Sequence, residues 1–190
     1  MPVTMPKPPD GATQAALESL NSVRGESLSS ESLRDEALVY PHRGYVMDVL
    51  DVAAGRLLET AIAGPWRHMI ARGQLIEESV DVVEADSNGR HRLTNRSRGT
   101  RNGAMARAIA RALVAPRFRN ESFEARVLAI PALSVMALWL VGNDKSLLIP
   151  VGTVPGVLKS GKQYSSDAFL AALRSSAQAR LEFDNSPKSM

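Results

Sequence analysis

The chain has 190 residues, the length of one domain, which is enough to bury a hydrophobic core. Its hydrophobic fraction of 44% and charged fraction of 23% are ordinary for globular proteins and argue against a disordered chain, a collagen-like repeat and a coiled coil. The absence of cysteine excludes disulfides, thiolate metal sites and cysteine nucleophiles, and the formal net charge of +3 is too small to indicate a partner by itself.

The N-terminal arm contains four prolines in eleven residues and no apolar run. Because proline lacks a backbone donor and moves its predecessor out of helical geometry, residues 1–11 are predicted to form a flexible or polyproline-like arm rather than a secretory signal. The longest apolar run, residues 127–142, is short for a membrane span and is interrupted by Pro131. We therefore expect a cytoplasmic protein without a membrane partner.

Helical patterns dominate the first part of the chain. Residues 10–23 and 30–38 each follow a possible Asp or Ser N-cap, which predicts two short helices. Residues 45–62 carry apolar side chains at helical spacing and predict a long helix. Residues 65–71, which begin with proline and end before Gly73, predict a further short helix.

From residue 76, the hydrophobic pattern changes from helical spacing to one typical of strands. Residues 76–85 are rich in β-branched side chains, and an Asn-Gly pair separates them from residues 90–98, which predicts a β-hairpin. An amphipathic helix is predicted over residues 103–114. Strands are predicted over residues 126–130, 133–141 and 146–151, and a last helix over residues 167–181.

Taken together, these elements predict the fold class and the domain boundaries. We expect a single α+β domain over residues 12–181, with a mostly antiparallel sheet and helices packed on one side. Residues 182–190 are predicted to form a frayed tail. The chain shows no internal repeat and no linker between two cores.

One loop has the skeleton of a phosphate-binding P-loop, with Gly156, Gly161 and Lys162 at the required spacing. A P-loop needs Ser or Thr after the lysine to hold magnesium, whereas Gln163 stands there. The following helix is also predicted to begin only after Tyr164, too late for its amides to reach a phosphate. We interpret this segment as a glycine-rich connecting loop.

The three histidines, His42, His68 and His91, do not have the spacing of a metal site. We therefore predict no metal ion, and no motif in the sequence indicates a cofactor. His42 nevertheless lies in a Pro-His-Arg-Gly-Tyr sequence, in which Arg43 and Tyr45 can line a pocket in front of a predicted helix. An ordinary helix start explains the same residues equally well.

Charge is segregated in the middle of the chain. Residues 77–86 contain five acids and no base, whereas residues 90–119 contain nine of the eighteen arginines and no acid. If the hairpin turns at the Asn-Gly pair, strand alternation places four arginines on one face, and simple pairing puts Arg96 opposite Asp81. The four arginines of this ladder are Arg90, Arg92, Arg96 and Arg98.

The basic segment continues into the next helix. Arg101 lies near its start, where free amides favour an anion, and Arg107 and Arg111 lie one turn apart on its outer side. The guanidinium fork suits both carboxylates and phosphates. We therefore predict an anionic-partner site formed by the four arginines of the ladder and these three.

Three interpretations of the basic segment remain open: a solvated face whose charge is offset by acids of the fold or of a neighbouring subunit, a surface for nucleic-acid phosphates, or a contact for an acidic protein. Its only aromatic residue, Phe118, argues against stacking of single-stranded bases. Our leading hypothesis is a non-catalytic interaction or assembly protein that forms homo-oligomers. A nucleic-acid-binding protein is the first alternative, and an enzyme with a site near the His42 loop is the second.

Overall fold

The computed structural model describes residues 3–26, 36–85 and 89–185. The strands in these ranges are β1 (Val3–Thr4), β2 (Glu36–Val46), β3 (Ile62–Arg72), β4 (Leu75–Glu84), β5 (His91–Arg98), β6 (Phe123–Ile130), β7 (Val135–Val141), β8 (Ser146–Pro150) and β9 (Tyr164–Ser165). The α-helices are α1 (Asp10–Glu26), α2 (Val49–Ala53), α3 (Thr100–Val114) and α4 (Ser166–Asn185). Short 3-10 helices occur at Leu58–Thr60, Pro116–Phe118 and Pro131–Leu133.

All the strands belong to one sheet in the order β5-β4-β3-β2-β6-β7-β8-β9, with β1 paired to β6 outside this path. Neighbouring strands are antiparallel, except that β6 runs parallel to both β1 and β2. The chain is therefore a single-domain α+β protein with a large, mostly antiparallel sheet and most of its described helices on one side, which confirms the predicted fold class. The arginine-rich strand β5 forms one edge of this sheet.

Side chains alternate along each strand and give the sheet two apolar faces. Ile70 and Trp139 lie on the face against which α1, α2 and α4 pack, so these three helices are on one side of the sheet. Their neighbours in sequence, Met69 and Leu138, lie on the opposite face under α3. This second face, called the α3 face below, carries the helical part of the arginine-rich segment.

The long helix predicted over residues 45–62 is wrong. Only Val49–Ala53 is α-helical, and the carboxylate of Asp48 caps its first turn. The two ends of the predicted helix belong to β2 and β3, in which Val46 and Ile62 are cross-strand partners. Tertiary strand pairing therefore overrides an apolar spacing that is also compatible with a helix.

The helix predicted over residues 65–71 is also wrong, because these residues lie inside β3. The register between β2 and β3 shifts beside Arg43 and leaves one extra residue on β3. Pro65, which has no N–H to donate to a strand pair, lies at this irregularity. The proline that suggested a helix start is therefore accommodated by a bulge.

The first helix, the hairpin strands, the three later strands and the helices α3 and α4 are confirmed, with small shifts of their ends. Residues 36–38 of the second predicted helix belong to β2, and residues 30–35 lie outside the described ranges, as do residues 86–88 of the hairpin turn. In the predicted arm, Val3 is buried and belongs to β1. Helix α4 extends into the predicted tail, and residues 186–190 are outside the described ranges.

Candidate functional site

The predicted ladder of four arginines on one face is wrong, because β5 contains an irregularity in its pairing with β4. Asp81 pairs with Asn95, but the next residue of β4, Val82, pairs with Leu93. Thr94 is therefore an extra residue on β5, and its hydroxyl donates to the carbonyl of Asp81 at 3.1 Å. Such a bulge interrupts the strict alternation of side chains along the strand.

The bulge separates the four arginines into two groups. Arg96 is the cross-strand partner of Val80, which belongs to the core under α1, so Arg96 and Arg98 lie on the α1 side. Arg92, on the other side of the bulge, lies on the α3 face. Arg90 precedes β5 and is exposed. The strand therefore presents no continuous row of guanidinium groups.

Glu78 engages the arginines on the α1 side. Its carboxylate accepts hydrogen bonds from Arg96 at 2.8 Å and from the fork of Arg72 at 3.1 and 3.3 Å, and it lies 3.6 Å from Arg98. Arg72 also pairs with Glu36 at 2.5 Å. Burial raises the pKa of Glu78, but the hydrogen bond from Arg96 and the three arginine charges outweigh it and lower the pKa. An acid of the fold thus engages two of the seven predicted arginines.

A row of polar side chains crosses the α3 face. His42, Arg67, Asp81 and Asn95 are successive cross-strand partners on β2, β3, β4 and β5. Arg67 donates to the Asp81 carboxylate at 2.5 and 2.8 Å, and Asn95 donates to it at 3.3 Å. The hydrogen bond to Asp81 raises the pKa of Arg67. The predicted pairing of Asp81 with Arg96 is therefore wrong.

His42 makes the stability of this row dependent on pH. Its Nδ1 forms a hydrogen bond with the carbonyl of Tyr40 at 2.8 Å, and the side chain is buried. Burial outweighs that hydrogen bond and, with the charge of Arg67, lowers the pKa of His42 from 6.5 to about 4. Between pH 6.5 and about 4, the His42 imidazole is protonated in the unfolded chain but neutral in the folded one. The stabilisation is therefore complete above pH 6.5 and is lost as the pH falls toward about 4.

Because of His42, we expect the free energy of unfolding to decrease by about 2 kcal/mol when the pH is lowered from about 7 to about 5. Urea denaturation at several pH values checks this. The decrease should be smaller by that amount in a His42→Gln variant, whereas a His91→Gln variant should retain it. If the free energy of unfolding of the His42 variant decreases as much as that of the wild type, groups other than His42 cause the pH dependence.

The structure separates the three residues of the His42 loop. Arg43 lines a cavity of about 380 Å³ together with Trp66, Glu84 and His91. His42 is buried in the polar row, and Tyr45 packs edge to face on Trp139. The three side chains therefore do not converge on one pocket. Within the described ranges, no group of three His, Asp or Glu side chains is placed to hold a metal ion.

Helix α3 is fixed to the sheet by its inner side and by one polar residue. Met105 and Ile109 are buried in the core of the α3 face. The side-chain amide of Asn102 donates to the carbonyls of Glu77 at 3.2 Å and Ser97 at 3.1 Å, which joins the first turn of the helix to β4 and β5. The outer side of α3 is therefore held in a defined position.

That outer side and the following turn form a basic surface. Arg101, Arg107 and Arg111 on α3, and Arg117 and Arg119 just beyond it, are exposed. Across residues 3–26, 36–85 and 89–185, none of them forms an ion pair with an acid. These five residues are called the α3 surface below. Arg117 and Arg119 are missing from the predicted seven arginines, although the absence of acids through residue 119 points to them.

The P-loop skeleton forms a connecting loop between β8 and β9, as interpreted from the sequence. Gly161 has a left-handed φ of 76°, and its N–H donates to the carbonyl of Pro150 at 2.8 Å. Because this amide already has a partner, it does not belong to a phosphate cradle. Helix α4 begins at Ser166, four residues after Lys162.

Comparison with known proteins gives no relative from which a function can be transferred. No family model, curated protein or solved structure matches the chain. Among the helices of the described residues, none is both long enough and apolar enough to cross a membrane.

Proposed function

We propose that this chain is a non-catalytic interaction module that binds an acidic protein through the α3 surface. The observation that carries the proposal is the contrast between two groups of arginines. Arg96 and Arg98 lie beside Glu78, whereas the five guanidinium groups of the α3 surface have no carboxylate partner in the described part of the chain. Like charges that are kept close together without neutralisation repel each other, and an acidic partner removes that repulsion.

The chemistry of the α3 surface favours a protein partner over single-stranded nucleic acid. Phe118 is the only aromatic residue among residues 90–119, and it is buried, with the guanidinium of Arg117 at 4.8 Å from its ring. No Phe, Tyr or Trp ring of this segment is therefore available for stacking on bases. Carboxylates need only the guanidinium fork, which this surface supplies repeatedly.

A nucleic-acid-binding function remains the first alternative, because the same guanidinium groups can neutralise the phosphates of a duplex without reading bases. The enzyme alternative rests on a different observation, the cavity beside Arg43, which also contains the ionisable side chains of Glu84 and His91. A homo-oligomer, in which a second copy supplies the acidic surface, is a special case of the proposal. Sedimentation of the isolated chain tests that case.

Fluorescence anisotropy with two labelled polyanions of equal charge, an oligoglutamate and a DNA duplex, tests the proposed function. We expect the oligoglutamate to bind at low ionic strength and to dissociate as salt is added, because the contacts lie on the exposed α3 surface. Tighter binding of the duplex, with a steep dependence on salt, would favour the nucleic-acid alternative. Absence of binding to either polyanion would contradict the proposal.

A further inference from the structure

A small cavity lies where the end of α3 meets β8 and the connecting loop. Its volume is about 110 Å³, and its walls include residues from all three elements. This is several times the space of about 10–15 Å³ that one water molecule needs, so the cavity has room for a short carboxylic acid side chain. Two arginines of the α3 surface, Arg111 and Arg117, line it.

The rest of the wall is mainly apolar. Ala108 and Ala112, one turn apart on α3, leave room beside the helix because their side chains are short. Ile149 and Val151 form the wall on the β8 side. Apolar walls beside two arginines suit a ligand that has a short aliphatic stem and an anionic end.

The connecting loop contributes Ser160 and Gly161 to the wall of the cavity. Gly161 donates its N–H to the carbonyl of Pro150 at 2.8 Å, and the hydroxyl of Ser160 approaches the same carbonyl at 3.5 Å. Arg111 and Arg117 are the only charged residues of the wall, and their guanidinium groups are the strongest donors that it offers to an anion. A planar carboxylate has two oxygens that match a guanidinium fork, whereas a phosphate has further oxygens that would need other donors.

We propose that this cavity receives the side-chain carboxylate of a glutamate from the acidic partner. The inference rests on the proposed function, since it identifies the anchor within the α3 surface. Arg111 has no ion pair in the described part of the chain, and the charge of Arg117 has only the Phe118 ring beside it. A carboxylate bound between them neutralises charge while its methylene groups contact Ala108 and Ala112.

Amide NMR spectra of the whole chain, titrated separately with butyrate, butanamide and inorganic phosphate, test the cavity directly. We expect butyrate to shift the amides of Ala112, Ser160 and Gly161 in a saturable way, and the neutral butanamide to leave them unshifted. A stronger and equally localised response to phosphate would overturn the assignment to a carboxylate. The absence of a localised response to butyrate would overturn the site itself.

An Ala108→Met variant fills the cavity and keeps both arginines. We expect its affinity for butyrate to fall by about tenfold or more, which corresponds to about 1.4 kcal/mol, whereas an Ala110→Met variant on the same helix should bind as the wild type does. The amide spectrum of each variant also reports whether it is folded. If butyrate binding survives in Ala108→Met, the cavity is not the site.

The oligoglutamate assay separates failure of the cavity from failure of the proposed function. If Ala108→Met binds oligoglutamate as tightly as the wild type, the α3 surface binds its partner without this anchor, and only the cavity proposal fails. If the wild type binds butyrate in the cavity but does not bind oligoglutamate, the proposed function fails and the carboxylate site stands.

Discussion

Replacing Asp81 by asparagine is expected to lower the free energy of unfolding by about 3 kcal/mol or more. Asp81 is only 5% exposed, and its carboxylate accepts two hydrogen bonds from Arg67, at 2.5 and 2.8 Å, and one from Asn95. Asparagine is nearly isosteric, but it leaves the partly buried guanidinium of Arg67 without a negative charge. Urea denaturation near neutral pH measures the loss.

An Asp51→Asn variant is the matched control. Asp51 also pairs with an arginine, Arg56, at 2.9 Å, but the arginine side chain is 64% exposed and water solvates it when the pair is broken. We expect a loss below about 1 kcal/mol for this variant. If the two variants lose the same small amount, the Arg67–Asp81 pair does not stabilise the α3 face in the way that the buried geometry implies.

The sequence predicts those parts of the fold in which local and tertiary preferences agree. The hairpin of β4 and β5 has β-branched side chains in β4 and an Asn-Gly pair between the strands, and α3 has both an apolar side and a proline beyond its end. Residues 45–62 do not follow this rule, because their apolar spacing fits a helix while Val46 and Ile62 pair across two strands. A periodicity reports which side chains are buried, and the partner strand decides the conformation.

Several contacts of the candidate site could not be predicted from the sequence either. The ladder was predicted by strict alternation, which one extra residue at Thr94 interrupts. The partner of Asp81 is Arg67, 14 positions earlier and on a strand that the sequence pattern assigns to a helix, so no local rule connects them. The cavity beside Arg111 depends on a loop whose path is set by its hydrogen bonds to Pro150.

The arginines that were predicted on and beside the helix nevertheless have the exposed positions expected from the sequence. Arg101 was identified by its place at the start of a helix, and Arg107 and Arg111 by their separation of one helix turn; α3 places all three in exposed positions. Whether this surface binds an anionic partner is the central proposal. Reversing charges outside the cavity provides its test, because that change leaves the carboxylate anchor intact.

A double variant with Arg101→Glu and Arg107→Glu is expected to bind oligoglutamate about tenfold more weakly than the wild type, or weaker still. Each exposed guanidinium contact contributes up to about 1 kcal/mol, and each reversal adds repulsion to the loss of that contact. The matched control reverses Arg174 and Arg180, two exposed arginines of α4 on the opposite face of the sheet. Both variants change the net charge of the chain by the same amount, so a difference between them reports location rather than total charge.

Fluorescence anisotropy with labelled oligoglutamate at low ionic strength, comparing these two variants with the wild type, tests the central proposal most directly. The proposal predicts a large loss of affinity for the α3 variant and nearly wild-type affinity for the α4 variant. Equal losses in the two variants would show that only the overall charge attracts the polyanion, and would contradict a binding site on α3.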